Sequence, residues 1–187
     1  MSTASDEKER QAIAEFLSER TEERFCALFD AFYGRLCRYF AARDVDRSIA
    51  EELAENVMFQ VYRHVSQLRG GMSFHGWLFQ IARNEYLHHR RRSATALQTV
   101  PFEPLAGRLA ETLDSGIRQE VEGPFREWMT HMDETEREIL ILRFMEDLDY
   151  PEISVVLGIP VGTIKWKVFN AKAKLATVVV RKTTKSR

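Results

Sequence analysis

Ser73–Arg92, SFHGWLFQIARNEYLHHRRR, is the stretch on which the fold turns. Set on a helix at about 100° per residue, Phe74, Leu78 and Ile81 form one stripe, with Trp77 and Ala82 at its margins. Trp77, Gln80 and Asn84 line up along one edge, and Phe79, Arg83, Tyr86 and Arg90 fall on the outward side. Such a helix has the chemistry to hold single-stranded nucleic acid. Aromatic rings stack on exposed bases, at ~1–3 kcal/mol per base, and guanidinium groups follow the phosphates. The competing reading is a core helix with a solvated basic end.

Upstream the period stays helical. Ile13, Phe16 and Leu17 recur at three- and four-residue steps from about Glu9, then Phe25, Leu28, Phe29, Phe32, Leu36 and Phe40. The polar residues Met1–Glu7 are expected to be disordered, and Asp44–Ser48 is a polar break. A helix over Ile49–Ser66 buries Leu53, Val57, Val61 and Val65 and turns Glu52, Glu55, Asn56 and Gln60 away from that face. Gly70-Gly71 ends it, and Ser73 is placed to cap the helix that follows. Cys26 and Cys37 share one predicted helix at no metal-ligand spacing, so both are expected to be buried thiols.

Downstream of Arg92 the periodicity fades. Ser93–Gly123 holds Pro101, Pro104, Gly107 and Gly116 and reads as a linker, with a short helix around Leu105–Leu113. Order returns at Pro124 with Phe125, Trp128, Met129 and Met132. Asp133, with Glu136 three residues on, opens a helix carrying Ile139, Leu140, Leu142 and Phe144. Asp149 caps a short helix with Pro151 in its first turn and Ile153, Val156 and Leu157 on its buried face. Gly158 ends that helix, Ile159 plugs the core, and a last helix from about Pro160 buries Ile164, Val168, Ala171 and Leu175. Two helices joined across a glycine turn, the second basic, form a helix-turn-helix. Lys165 and Lys172 flank one side of the last helix and Lys167 and Lys174 the other, with Trp166, Phe169, Asn170 and Ala173 between them. That pattern fits a major groove, lysines on the phosphate walls and amide and apolar groups toward base edges. The alternative packs Trp166 and Phe169 against the preceding helix or a partner.

The formal net charge of −1 over 187 residues hides an asymmetry. Met1–Val57 carries thirteen acids and eight bases. Met58–Arg92 carries six arginines against Glu85 alone, Ser93–Glu122 five acids and two bases, and Pro160–Arg187 eight Lys/Arg and no acid. Two basic patches separated by acidic stretches imply two nucleic-acid contacts and a further surface for another partner. No apolar run approaches the ~20 residues of a membrane span, and MSTASDEKER is no export signal, so a cytoplasmic location without membrane insertion is expected. His88 and His89 are adjacent, and His64, His75 and His131 form no ligand-spaced set. With no Gly-rich phosphate loop and no nucleophile elbow, no metal, cofactor or enzymatic activity is expected.

The segment EELAENVMFQVYRHVSQLRGGMSFHGWLFQIARNEYLHHRRR resembles the second conserved domain of the extracytoplasmic-function (ECF) sigma factors of bacterial RNA polymerase, within the sigma-70 family. MDETEREILILRFMEDLDYPEISVVLGIPVGTIKWKVFNAKAKL resembles their fourth domain, and Phe25–Phe40 their opening helix. The resemblance implies an all-α protein of two small helical domains, 1–95 and 123–187, joined by a flexible linker, 96–122, the C-terminal domain a helix-turn-helix. It implies that the chain binds core RNA polymerase, directs it to promoter DNA and helps melt the minus-ten element. Trp77 would abut the junction where strands part, and Asn84 would line the pocket of a flipped base. Gln80, Arg83, and Tyr86–Arg92 with His88, Arg90 and Arg91 would complete the minus-ten surface, the latter segment as a loop. Glu52, Glu55, Asn56 and Gln60 would face the polymerase clamp, and Thr163, Lys165, Trp166, Lys167, Asn170, Lys172 and Lys174 the minus-thirty-five element.

Two departures from the family pattern stand out. An Asp and then Gln-Glu are usual across the clamp helix, where this chain has Glu52, Glu55 and Asn56. The recognition helix usually reads Lys-Ser-Arg and then His-Arg, where this chain has Lys165-Trp166-Lys167 and Phe169-Asn170. Losing an arginine that grips guanine bidentately implies a different minus-thirty-five sequence. No sensor domain is evident, so an anti-sigma partner is expected to control the chain. The rival function is a helix-turn-helix regulator that binds duplex DNA without melting it, which leaves the Trp77–Asn84 edge without a purpose.

Overall fold

The computed structural model describes residues 3–43, 45–68, 73–99 and 131–185, with side chains over 7–43, 45–68, 73–94 and 131–174 of these. Every regular element among the described residues is helical. The chain divides into two compact units, Met1–Asp114 and Ser115–Arg187.

The first unit holds α1 (Thr3–Ser18), α2 (Glu22–Ala41), α3 (Arg47–His64, continued by a 3-10 turn at Val65–Gln67) and α4 (Phe74–Thr99). Helix α1 starts at Thr3, so the disorder expected over Met1–Glu7 is corrected from Thr3 on, Met1 and Ser2 lying outside the described residues. Alternating charges along Glu7–Arg10 leave nothing that breaks a helix. Thr21 caps α2, its hydroxyl accepting from the Arg24 N–H at 3.3 Å. Ser73 caps α4 as expected, accepting from the Gly76 N–H at 2.9 Å. Phe16, Leu28, Phe32, Leu36, Phe40, Val57, Val61 and Leu78 are wholly buried, and Leu53 and Val65 nearly so. Leu17, placed on the same stripe by its spacing, is exposed. Of the two cysteines Cys37 is buried and Cys26 exposed, which corrects the pairing of the two as core thiols. Eleven residues turn the helix by about 1,100°, roughly 20° past three full turns, so both cysteines share one face of α2 and the difference lies in what covers that face along the helix.

Phe79 is the larger correction. It was assigned to the outward side of α4 but is wholly buried, its ring 5.1 Å from that of Tyr39 on α2. The buried arc of α4 therefore runs from Trp77 through Phe74, Leu78 and Ala82 to Phe79, because α3 packs on this helix and two rings of α2, Phe32 and Tyr39, meet Phe74 and Phe79. An ionic cluster lies in the same core. Glu9 of α1 accepts from Arg35 of α2 and lies 3.3 Å from His75 Nε2 of α4. Burial alone would raise the Glu9 carboxyl, but the hydrogen bond with His75 and the Arg35 charge outweigh it and hold the group below its usual value.

The second unit holds α5 (Glu134–Leu140), a π-type turn at Ile141–Met145, α6 (Tyr150–Leu157) and α7 (Val161–Lys185). Asp133 and Glu136 form the expected capping box, as do Asp149 and Glu152. Gly158 stands at φ 69°, the left-handed conformation glycine takes without a Cβ penalty. Ile139, Leu140, Leu142, Ile153, Val156, Ile164, Val168 and Ala171 are buried, while Leu157 and Ile159 are half-buried. Gly70-Gly71, the Leu105–Leu113 helix, the segment from Pro124 to Met129 and the Leu175 side chain lie outside the described residues.

Candidate nucleic-acid and polymerase interface

Helix α4 runs unbroken to Thr99, so Tyr86–Arg92 is helix and not a loop, and the helix continues past Arg92. Nothing in HHRRRSATA breaks it. Within the chain Pro101 is the first residue beyond Arg92 that would. Along the expected edge, Asn84, His88 and Arg91 are exposed and Gln80 half-buried. Trp77 is only 9 % exposed, its ring 5.9 Å from that of Phe74. It can offer a base its rim, and it supports the edge from below. Arg83 and Tyr86 are half-buried, and Arg90 and Arg92 exposed.

Tyr86 sits on the flank away from Asn84, its ring approached by two guanidinium groups, Arg43 at 5.4 Å and Arg90 at 5.8 Å. Glu85 is the one acid within Met58–Arg92. Its carboxylate accepts from Gln60 Nε2 at 2.8 Å and from Asn56 Nδ2 at 3.4 Å, both on α3. Asn56 and Gln60 were expected on a free polymerase-facing surface. The structure instead half-buries them as a polar brace between α3 and α4, since each lies one step round the helix from Glu52 and Glu55 toward α4. Glu52 and Glu55 are exposed, and Phe59, 58 % exposed, shares their face, with Arg63 5.5 Å from its ring. Phe59 was missed in the sequence because it lies off the Leu53–Val57–Val61 stripe, although helical phase alone puts it with the two acids.

In the second unit α6, Gly158 and α7 make the helix-turn-helix. Trp166 and Phe169 are 59 % and 71 % exposed, so neither packs away against the preceding helix. Thr163, Lys165 and Lys172 are exposed and Asn170 half-buried. Lys165 Nζ lies 6.0 Å from the Tyr150 ring and Lys172 Nζ 5.8 Å from that of the exposed Phe144. Lys167 and Lys174 behave differently. Lys167 Nζ pairs with Asp133 at 3.0 Å, and Lys174 Nζ with the buried Glu136 at 2.6 Å. These two expected phosphate contacts face α5, because the side of α7 that they share packs on that helix. Burial would raise the Asp133 carboxyl, but the Glu136 N–H and Lys167 hold it below its usual value.

The family models agree with this architecture. Residues 28–95 match sigma-70 region 2, and residues 124–175 match sigma-70 region 4, in that order along the chain. Among curated proteins the chain is similar to the RNA polymerase sigma-H factor of Pseudomonas aeruginosa, 28% identical over 68% of this chain and 71% of that protein. It is also similar to the ECF RNA polymerase sigma-E factor of Haemophilus influenzae, 25% identical over 87% and 90% of the two chains. Among solved structures, CnrH in complex with the cytosolic domain of CnrY shares the fold at TM-score 0.65 and 17% identity, over 93% of this chain and 98% of that one. RpoE with the anti-sigma factor NepR from Bartonella quintana shares it at TM-score 0.59 and 20% identity, over 84% and 95%.

The chain therefore belongs to the sigma-70 family: two helical domains, the second a helix-turn-helix, with both conserved regions present. Within that family it is an ECF sigma factor, a transcription initiation factor that directs RNA polymerase to promoters. Among the described residues no helix is long and apolar enough to cross a membrane, and no cluster of His, Cys, Asp and Glu could hold a metal ion.

Proposed function

We propose that this sigma factor divides promoter recognition between its two units, 1–99, to the end of α4, reading the melted minus-ten strand and 123–187 the duplex minus-thirty-five element, with 100–122 as the tether. The observation that carries this reading is the exposed Asn84. It stands on an edge whose base is the nearly buried Trp77 and whose far end is Arg91, while Glu85, the one acid in the sequence Met58–Arg92, is drawn onto α3. An exposed amide both donates and accepts, which suits the Watson–Crick edge of an unstacked base. Gln80 and His88 extend that edge. Trp77 acts as the rigid floor of the site and not as a stacking platform.

Glu52, Glu55 and Phe59 form the polymerase-facing surface, an apolar anchor ringed by acids. Asn56 and Gln60 support it from the side facing α4. On α7, Lys165, Lys172 and Thr163 take phosphates and Trp166, Phe169 and Asn170 face the bases. The protein works where polymerase and promoter meet, in the cytoplasm, and catalyses no reaction itself. An anti-sigma partner controls it, since RpoE of similar fold is solved with the anti-sigma factor NepR and CnrH with the cytosolic domain of CnrY, and Trp166, Phe169 and Phe144 offer an exposed apolar surface.

Run-off transcription over fragmented genomic DNA, with bacterial core polymerase and with or without this protein, tests the whole reading. Discrete transcripts that need the protein support it and yield the promoters. Duplex binding without polymerase and without transcripts would instead identify a simple regulator. On a recovered promoter, Asn84→Ala should cut strand opening by about tenfold or more, as expected for loss of one base reader at ~1–3 kcal/mol, while core binding is unchanged. Equal loss of both would make Asn84 structural.

A further inference from the structure

Arg43 lies just past the end of α2, outside every stretch that the sequence assigned to DNA. Its guanidinium carbon stacks 3.6 Å from the centroid of the Tyr39 ring, and its Nη1 donates to the Tyr39 carbonyl at 3.1 Å. That platform is fixed, because Tyr39 is wholly buried and its ring lies 5.3 Å from Phe40 and 5.1 Å from Phe79. From there Arg43 reaches the Tyr86 ring at 5.4 Å, and Arg90, one turn further along α4, reaches the same ring at 5.8 Å. Two guanidinium groups, one from the turn after α2 and one from α4, thus converge on one half-buried tyrosine.

We propose that Arg43 and Arg90, held across Tyr86, form a binding site for a nucleic-acid phosphodiester. Planar guanidinium forks suit phosphate oxygens, and a fork already held on an aromatic face loses less freedom on binding than an extended lysine. Tyr86 and Asn84 are two residues apart, so their side chains diverge by about 160° around α4. The phosphate held here lies on the flank opposite the base-reading edge. DNA would therefore bracket α4, a base on one side and backbone on the other. The inference rests on the reading of α4 as a DNA-facing helix, and it extends the site to α2, which that reading left out. The rival explanation is that Arg43 only caps the C-terminal end of α2, where a cation near the last carbonyls is favourable in itself.

The test uses full-length protein assembled with core polymerase on a promoter recovered by run-off transcription, with DNA affinity followed as salt is raised. Each phosphate contact contributes ~0.7–0.9 to the slope of log K against log salt. Arg43→Ala and Arg90→Ala should each lower that slope by about this amount, with core affinity unchanged, and Arg43→Lys should restore the slope. Should Arg43→Ala lower the melting temperature, Arg43→Gln keeps a donor for the Tyr39 carbonyl without the charge and must show the same fall. An unchanged slope in Arg43→Gln, with Asn84→Ala still impairing strand opening, overturns the proposal and leaves the α4 reading in place. Indifference of the promoter complex to Asn84→Ala and Arg43→Gln alike overturns both.

Discussion

On α4 the lone acid of a basic stretch, Glu85, is drawn onto α3 by Asn56 and Gln60, whereas on α7 two of the cations, Lys167 and Lys174, are drawn onto Asp133 and Glu136. Both helices read as basic in the sequence, and their surfaces differ. Withdrawing an anion leaves the α4 edge more positive than its residue count implies. Withdrawing two cations narrows the positive surface of α7 to Lys165, Lys172 and the described residues near them. Charge counted along a helix is a supply, and packing decides which part of it faces the DNA.

The sharpest way to separate the units is to break the ionic core of one of them. Arg35 and Glu9 pair with side chains only 8 % and 10 % exposed. Arg35→Ala leaves a buried carboxylate without that guanidinium, and such losses cost about 3–5 kcal/mol. Urea unfolding should show the first unit losing that stability, while α5–α7 keep their transition. The pair also carries a pH signature. The Glu9 carboxyl is held below its usual 4.5 in the folded chain, so its contribution is complete above that value and is lost as pH falls through the lower folded one. Glu9→Gln should flatten this acid limb. A limb unchanged in Glu9→Gln would place the acid sensitivity in other carboxylates.

How much of this was legible in the sequence follows from the same contrast. Periodicity and local caps gave the helices, the two capping boxes and the glycine turn, because each depends on residues within one or two turns. Asn84, Trp166 and Lys172 are exposed, as their helical phase implies, for the same reason. The misplacements at Phe79, Gln60, Lys167 and Lys174 share another cause. Each depends on a partner 25 or more residues away or on a second helix packing on the same side. A lone helical wheel assumes one buried stripe, and α4 meets both α3 and the Phe32 and Tyr39 rings of α2. Arg43 carried no periodic signal at all.

A smaller effect probes the α5–α7 contact directly. Asp133→Ala removes the N-cap of α5 and should cost about 1 kcal/mol. It also releases Lys167 from its acid. Duplex affinity should then rise slightly at low salt while thermal stability falls, an opposition that loss of fold alone would not produce. Parallel losses in both measurements would mean that Lys167 does not reach the DNA even when free.

The smallest effect decides the comparison itself. If the lysines of α7 are divided as their partners imply, Lys172→Ala should lower the salt slope of duplex binding by about 0.9, the share of one phosphate contact in B-DNA. Lys167→Ala should leave that slope almost unchanged, because its ammonium is already matched by Asp133 at 3.0 Å. Equal falls for both would show that the Asp133 pair opens on DNA and that the phosphate wall includes both flanks of the helix. A fall for Lys167 alone would invert the assignment, and the Lys172 contact with Phe144 would then be the structural one. Because exposed pairs are worth roughly 0–1 kcal/mol, the DNA can compete for Lys167, and only the slope, which counts contacts, separates the cases.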